Sequence, residues 1–425
     1  MASIGPTTEV PLLSGARLTL ARELNSGASY AKLLTFMPLF LQELEDKPAE
    51  TQPCRLRKTK QMLNPPYGPA YSGACGMIFH SIPEDVLMSL IKGTVTYDIH
   101  NNSITPYNPD GPGVYALGLK IQERNGRFLN ADEYKILLDN LQRYIKIARR
   151  MLNAIPLLQP ELDFVDSVQS QIGEWDKQEC RFINSGSNLA NAELLLESLR
   201  KRYNALKAKD PSGQIYSTQS PLYVGCSKLI SNRWVEYNRT DTKGAYYNAN
   251  KLMTLTMSLL RHQNVLVELG KATIVRTWQA DQMKDAELLV AALANAYSVQ
   301  DGFNAVETGQ TKHDGLMDDP YNVSEHRRYV YSQPYMERNL ERSLAQIEQA
   351  KKAELTADIK EELATGKEKA KGKSQTLQQR VQFYTQSLEK RTSEVQEMTQ
   401  DVKKRRMLHS AAANILEEVI NLGDK

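Results

Sequence analysis

The C-terminal part of the chain puts the strongest constraint on its fold. From Leu340 to Lys425 the sequence contains no proline and carries dense charge of both signs. Alternating steps of four and three residues from Leu377 reach apolar side chains, with Arg391 as the one interruption. The positions reached are Leu377, Val381, Tyr384, Leu388, Arg391, Val395, Met398 and Val402. This pattern predicts a long helical or coiled-coil region over 325–425.

Two glycines, Gly366 and Gly372, are expected to bend this region into two arms, since a glycine in a helix interior costs about 1 kcal/mol relative to alanine. The apolar positions then serve either a partner outside the chain or packing within it. The first alternative makes 335–425 the site of homo-oligomerisation or of binding to a partner protein. The pattern alone leaves both alternatives open.

Composition excludes several broad classes of protein. The chain has 425 residues, of which 41% are hydrophobic and 24% charged, a balance typical of globular proteins with two to four domains. The formal net charge of +3 is too small to indicate a nucleic-acid or membrane partner by itself. The four cysteines form no C-x-x-C pair and have no histidine at metal-ligand spacing, so no structural zinc site is expected.

The N-terminus lacks the basic start and apolar core of a secretory signal. No apolar run approaches the eighteen or so residues that a membrane helix needs. We therefore expect an intracellular protein, nuclear or cytoplasmic, that is neither secreted nor associated with a membrane.

Changes in residue pattern divide the chain into regions and predict a predominantly helical α+β fold. The first region mixes a helical run, "AKLLTFMPLFLQEL", with an alternating stretch, "KGTVTYDIHNN", that predicts a strand. The second has helical periodicity, with Asn130 or Asp132 as the N-cap of its first helix and Asp210-Pro211 ending its last. The predicted regions are 1–130 (mixed α/β, role unknown), 131–210 (helical), 211–310 (a small sheet with helices) and 325–425 (long helices).

The region 211–310 contains two short β-rich runs. "GQIYS" and "PLYVG" are separated by three residues, a spacing typical of a hairpin. In the second run Tyr223 and Gly225 share one face of the strand, and the glycine leaves room for a ligand to approach. The following helix places Arg233 and Tyr237 one turn apart on the same face. Phenolic hydroxyls and a guanidinium group suit an anionic, oxygen-rich substrate such as a phosphodiester.

These residues resemble the motifs of the GIY-YIG nuclease superfamily, in particular its branch containing the N-terminal nuclease domain of UvrC. The resemblance rests on "QIY" at 214–216, "YVG" at 223–225, Arg233, Tyr237 and the asparagine of "GFN", Asn304. It covers about residues 211–310. It implies a three-stranded sheet with "KATIVRTWQA" as the third strand and "KDAELLVAALANAYS" as the helix after it.

The resemblance also implies roles for individual side chains. Tyr223, or Tyr216 beside it, would help to deprotonate the attacking water. Arg233 would stabilise charge on the scissile phosphate, and Tyr237 would orient the phosphate or the water. Gly225 and Asn304 would bind the substrate.

A glutamate on the last helix of such domains holds one divalent ion, Mg²⁺ or Mn²⁺. The family shows two glutamates five residues apart, of which the second is the metal ligand. Here Glu287 falls on the first position and Ala292 on the second. Three alternatives follow: Glu287 binds the metal, Asp285 replaces it, or the metal and the catalysis have been lost.

The sequence therefore supports three functions. The first is a metal-dependent endonuclease that hydrolyses phosphodiester bonds in DNA or RNA. The second is a catalytically degenerate module that binds nucleic acid. The third is an interaction scaffold that acts through the coiled coil of 335–425.

Overall fold

The computed structural model describes residues 7–8, 14–46, 56–64, 73–173, 180–238, 250–309, 320–369 and 374–423. The predicted fold class is confirmed, because the chain is predominantly helical with a small antiparallel sheet. The chain divides into two compact units, Met1–Gln346 and Ile347–Lys425. None of the described helices is long and apolar enough to cross a membrane.

The helices and strands follow one another in this order. In the first third of the chain they are β1 (Thr7–Thr8), α1 (Gly15–Asn25), α2 (Tyr30–Leu34), α3 (Met37–Glu45), α4 (Arg57–Leu63), α5 (Gly73–His80), α6 (Glu84–Lys92), α7 (Val95–His100), β2 (Gly113–Ile121) and α8 (Ala131–Leu152). They continue with α9 (Gln159–Gln169), α10 (Gly186–Lys209), β3 (Tyr216–Ser217), β4 (Leu222–Ser227), α11 (Ile230–Asn238), α12 (Lys251–His262), β5 (Val267–Arg276) and α13 (Ala280–Leu293). The last three helices are α14 (Pro320–Tyr331), α15 (Pro334–Lys369) and α16 (Ser374–Gly423).

The main sheet has the strand order β4-β2-β5, and both pairings are antiparallel. Its central strand, β2, comes from the region predicted to be a separate N-terminal part, so the sheet crosses the predicted boundaries at 130 and 211. Alternate side chains of β2 enter two apolar clusters, as expected for a strand covered on both faces. Val114 and Ala116 pack with α1, α6 and α13, whereas Tyr115 and Leu117 pack with α8, α10 and α12.

The helices of the middle region form where their local pattern predicts them. At the start of α8, the Asn130 side chain accepts a bond from the Glu133 backbone while the Glu133 side chain accepts one from the Asn130 backbone. The predicted cap at Asn130 is therefore confirmed. Helix α10 ends at Lys209, directly before Asp210-Pro211, as predicted.

The strand predicted in "KGTVTYDIHNN" is wrong, because this segment contains helix α7. The helix packs on two paired glycines, Gly118 of β2 and Gly270 of β5. A Cβ atom at Gly118 or Gly270 would lie 2.7 or 2.4 Å from Cγ2 of Thr96. The tertiary contact thus outweighs the strand preference of a β-branched run.

A cluster of buried charges connects α1, α10 and the segment after α13. Asp301 accepts bonds from Arg202 Nε at 2.7 Å and from Ser198 Oγ at 2.8 Å. Arg17 Nη1 lies 3.8 Å from Asp301 Oδ2, and Arg17 Nε donates to the Ile91 carbonyl. Burial lowers the pKa of Arg17 to about 10. One carboxylate thus lies between two arginines that are each more than nine-tenths buried.

A buried histidine joins α5 to α15 within the first unit and makes the stability of that unit dependent on pH. His80 Nδ1 lies 2.7 Å from the Gly76 carbonyl, so it carries the proton, and Nε2 accepts from Ser343 Oγ at 2.9 Å. Burial lowers the pKa of His80 below its ordinary value, and the Gly76 carbonyl offsets this only in part. The unfolded chain therefore binds the proton more readily, and the free energy of unfolding should fall as the pH drops below about 6.5.

Urea denaturation at several pH values between 7.5 and 5 would measure this effect. In His80→Gln, the component of the pH dependence that belongs to this histidine should disappear. His100→Gln is the matched control at an exposed position. An unchanged pH profile in His80→Gln would contradict the assignment.

Candidate functional site

The sheet brings together two tripeptides that are far apart in the sequence. In the pairing of β2 with β4, Tyr115 lies opposite Gly225 and Leu117 lies opposite Tyr223. The two strands run antiparallel, and the tripeptides Gly113-Val114-Tyr115 and Tyr223-Val224-Gly225 meet at the pair Tyr115 and Gly225. The predicted hairpin between "GQIYS" and "PLYVG" is wrong, because β3 pairs in parallel with β1 instead.

Tyr216 is placed away from this pairing. Its ring lies under the guanidinium of Arg124, with 4.5 Å from Cζ to the ring centroid, and its strand is the two-residue β3. The tyrosine that lies next to β4 is Tyr115. The location of Tyr216 therefore does not support its predicted catalytic role. Tyr115 is a member of the candidate site that the sequence analysis did not single out.

Three tyrosines and an arginine meet where α11 packs on this part of the sheet. The hydroxyl of Tyr115 lies 3.3 Å from that of Tyr237, and their rings are 6.2 Å apart in an edge-on arrangement. The guanidinium of Arg233 lies over the Tyr237 ring, 5.1 Å from its centroid. The i and i+4 positions of Arg233 and Tyr237 produce this stacking, as their spacing predicted.

Gly225 has a different role from the predicted one. A Cβ atom at this position would lie 2.7 Å from the Tyr115 hydroxyl oxygen and 3.0 Å from Cε1 of Tyr223. The room left by the glycine is therefore filled by the two tyrosines of this chain rather than kept for a ligand. Glycine is needed here because the two rings lie against its backbone.

Tyr115 and Tyr223 are neutral hydrogen-bonding groups at physiological pH. Burial, and then the neighbouring Tyr237, hold the pKa of Tyr223 and of Tyr115 well above the ordinary value of a phenol. The positive charge of Arg233 acts in the opposite direction but does not outweigh burial. A general base must lose its proton readily near the working pH, so the predicted base role of Tyr223 is disfavoured.

Arg233 is the cation that this group presents to solvent. Its side chain is 32% exposed and forms an ion pair with Glu236 one turn further along α11. Burial works against its charge, but the phenolic groups of Tyr237 and Tyr115 raise the pKa of Arg233 above its ordinary value. The ion pair with Glu236 is partly exposed, so it costs little to exchange for an anionic ligand.

Asn304 bonds to the backbone of β4 through its side-chain amide. Its Oδ1 accepts from the Val224 backbone nitrogen at 2.9 Å, and its Nδ2 donates to the Val224 carbonyl at 2.8 Å. Asn304 is also buried. The predicted substrate-binding role of Asn304 is therefore replaced by a structural one.

Glu287, the predicted metal ligand, is bound to the backbone of the chain. Its Oε2 accepts from the Gly309 backbone nitrogen at 2.8 Å, and the backbone and thiol of Cys226 also contact the carboxylate. Cys226 lies next to Gly225 in β4 and therefore points to the opposite face of the strand. Burial raises the pKa of Glu287, which means that its negative charge is disfavoured there.

No protein-family model, no curated protein and no solved structure matches the chain. The function of this group of residues therefore has to be inferred from its chemistry.

A second cation lies next to the group and was not singled out by the sequence. Lys271 of β5 is opposite Leu117, which is itself opposite Tyr223, so the three share one row across the sheet. Its Nζ donates to the Trp234 carbonyl of α11 at 3.0 Å, and burial lowers its pKa to about 8. Lys271 thereby attaches α11, the helix that carries Arg233, to the sheet. A single lysine in "LGKATIV" gives no signal of this contact.

The tripeptide Gly113-Val114-Tyr115 did carry a signal. A glycine, an aliphatic residue and a tyrosine at the start of a strand resemble the first GIY-YIG motif more than Gln214-Ile215-Tyr216 does. Its distance from "YVG" concealed it, because helices α8, α9 and α10 intervene. Residues 239–249, which follow α11, lie outside the described residues.

Proposed function

We propose that this chain is a GIY-YIG-like protein that binds nucleic acid through a backbone phosphate at Arg233 and Tyr223, without hydrolysing it. The observation that carries the proposal is the assembly of Tyr115, Tyr223, Arg233 and Tyr237 at one place, on paired strands in the antiparallel order that the resemblance implies. Only part of the machinery implied by the resemblance is supported.

The accessible groups suit a phosphate. The Arg233 guanidinium is fixed over the Tyr237 ring and offers planar N–H donors to two oxygens of one phosphate. Tyr223 is partly exposed and keeps its proton, so its hydroxyl donates a hydrogen bond to an anionic oxygen. Tyr115 and Tyr237 are buried, and they hold the side chains of Arg233 and Tyr223 in position.

The residues present do not fit the divalent ion that the resemblance implies. Mg²⁺ and Mn²⁺ need charged or polar oxygen ligands with free lone pairs. Glu287 accepts bonds from Gly309 and Cys226, is 7% exposed, and has a raised pKa. At the second glutamate position of the family, Ala292 has only a buried methyl group. Hydrolysis through this ion is therefore not part of the proposal.

A metal-dependent endonuclease is the second candidate function. It is favoured by the retention of all three tyrosines and the arginine, which a domain used only for binding does not need in full. It would require either Glu287 to leave its contacts with Gly309 and Cys226 or Asp285 to bind the ion in its place. The interaction scaffold is the third candidate, and it does not use Arg233.

Removal of Arg233 tests the proposal. We expect Arg233→Ala to weaken binding of fluorescently labelled DNA or RNA by about tenfold or more, because one charge-assisted phosphate contact is lost. Arg233→Lys should be intermediate, since an ammonium group lacks the planar pair of donors. Fluorescence anisotropy over a series of salt concentrations would measure affinity and the salt dependence, whose slope should fall by about 0.7 to 0.9.

The control is Arg149→Ala, which removes an exposed arginine from α8. It should leave the affinity nearly unchanged. Wild-type protein that binds neither single- nor double-stranded DNA or RNA would overturn the proposal and leave the scaffold. Cleavage that depends on Mg²⁺ or Mn²⁺ and is lost in Arg233→Ala would establish the endonuclease instead.

A further inference from the structure

Helix α16 carries an apolar stripe between Val381 and Val402, which we call the α16 seam. Three of its members, Val381, Met398 and Val402, are 43%, 65% and 65% exposed. The seam repeats with heptad spacing through residues whose side chains are described. Its members are Val381, Tyr384, Leu388, Arg391, Val395, Met398 and Val402.

A long helix is rarely stable by itself in water. Most helical stability in proteins comes from burying an apolar face rather than from the intrinsic preference of the residues. Helix α16 has 50 residues, and its described surface is charged or polar apart from the seam and a few scattered residues such as Phe383. Covering the seam is therefore the way in which this helix gains stability.

The residues beside the seam indicate what covers it. With Val381 at position a of the heptad, position e is threonine in three successive heptads: Thr385, Thr392 and Thr399. Each threonine hydroxyl donates to the carbonyl four residues earlier, so its hydrogen bond is made within the helix. Charges at e and g normally select the partner of a coiled coil. An uncharged e column does not repel an identical helix.

Heptad positions a and g also indicate an identical helix as the partner. Three of the four a positions, Val381, Val395 and Val402, are β-branched, which in parallel coiled coils goes with a two-stranded assembly. In a parallel pair, Asp401 at position g faces the e position occupied by Arg406 of the other copy, so the charges are complementary.

Arg391 occupies a d position within the otherwise apolar part of the seam. A single polar residue in a coiled-coil core fixes register and strand number at a cost in stability. In the in-register pair the two copies of Arg391 share one layer, where each long side chain can extend to solvent. Glu394, one turn along on the same helix, lies 3.9 Å from Lys390 Nζ and adds a negative charge next to this layer.

From these observations we propose that α16 binds α16 of a second copy of this chain, in a parallel, in-register, two-stranded coiled coil centred on the α16 seam. The proposal is independent of the nucleic-acid function, because it uses no residue of that site.

Measurement of molar mass by light scattering on the full chain tests it. Wild-type protein should have twice the 48.0 kDa chain mass at micromolar concentration. Leu388→Glu places an unpaired charge in the seam and should raise the dimer dissociation constant by at least about 100-fold. Phe383→Glu, at an exposed position outside the seam, should leave it unchanged. A monomer at about 100 µM, a trimer, or a dimer unaffected by Leu388→Glu would overturn the proposal.

Two further variants test orientation and register. Arg391→Leu should tighten the dimer by about tenfold or more, because it replaces the charged layer by an apolar one. Val395→Cys should form a disulfide between copies under mild oxidation, since parallel in-register helices place the two residues side by side. Phe383→Cys and wild-type protein are the controls. Antiparallel pairing separates the two introduced thiols, so failure to cross-link would contradict the parallel arrangement.

Discussion

Replacement of Asp301 by alanine is expected to destabilise the first unit by about 3 to 5 kcal/mol, the cost of leaving buried charge without its partner. Asp301 is the carboxylate between Arg17 and Arg202, and both arginines are buried. Without this carboxylate the two buried guanidinium groups have no counter-charge, and the Ser198 hydroxyl has lost its acceptor. The pKa of Arg17 is already lowered to about 10 by burial, which shows how poorly solvated its charge is.

Urea denaturation followed by tryptophan fluorescence would measure this loss, because all three tryptophans lie in the first unit. Asp301→Asn should cost less than alanine, since it keeps the shape and one acceptor. Glu193→Ala removes the carboxylate of an exposed pair with Arg149 and should cost no more than about 1 kcal/mol. Equal effects of Asp301→Ala and Glu193→Ala would show that the buried cluster contributes no more than a surface ion pair.

Substitution of Gly302 by alanine is expected to have the second-largest effect, a destabilisation of about 2 to 4 kcal/mol. An added Cβ would lie 2.2 Å from the carbonyl oxygen of Ala296 and 2.4 Å from its Cα, and neither atom can move without the backbone. The Ala296 carbonyl also accepts from the Asn304 nitrogen at 2.7 Å. Displacement of this segment therefore moves Asn304 away from Val224 and disturbs β4.

Gly186→Ala is the matched control, because no atom lies within 4 Å of a Cβ at that position at the start of α10. It should be neutral or stabilising by up to about 1 kcal/mol. Chemical denaturation would measure stability, and anisotropy would measure nucleic-acid binding in the same samples. If Gly302→Ala is as stable as the control, the segment is more adaptable than its contacts indicate.

The helices could be predicted because their information is local. The cap of α8 at Asn130 and the end of α10 before Asp210 follow from residues only a few positions apart. The same reasoning failed for α7, where contact with Gly118 and Gly270 decides the conformation of a segment whose own pattern favours a strand.

The sheet could not be predicted in the same way, because strand pairing is not encoded in periodicity. "GQIYS" and "PLYVG" are adjacent in the sequence and were assigned to one hairpin, yet β4 pairs with β2. The positions of the residues in the candidate site could therefore be predicted only in part. The shared face of Arg233 and Tyr237 follows from helical spacing, and the strand face of Tyr223 follows from strand alternation. The placement of Tyr115 and the hydrogen bonds of Glu287 depend on contacts between residues that are distant in the sequence.

The separation of β2 from β4 has a consequence for the order in which the protein folds. Joining Tyr115 to Gly225 closes a loop of roughly a hundred residues, and an unstructured loop of that length makes the pairing slow. Helices α8 and α10, which pack on each other, shorten that loop once they have formed. The strands carrying Tyr115 and Tyr223 should thus pair late during refolding. A chain interrupted within the helices should lose the cluster of Tyr115, Tyr223, Arg233 and Tyr237 before it loses its helical content.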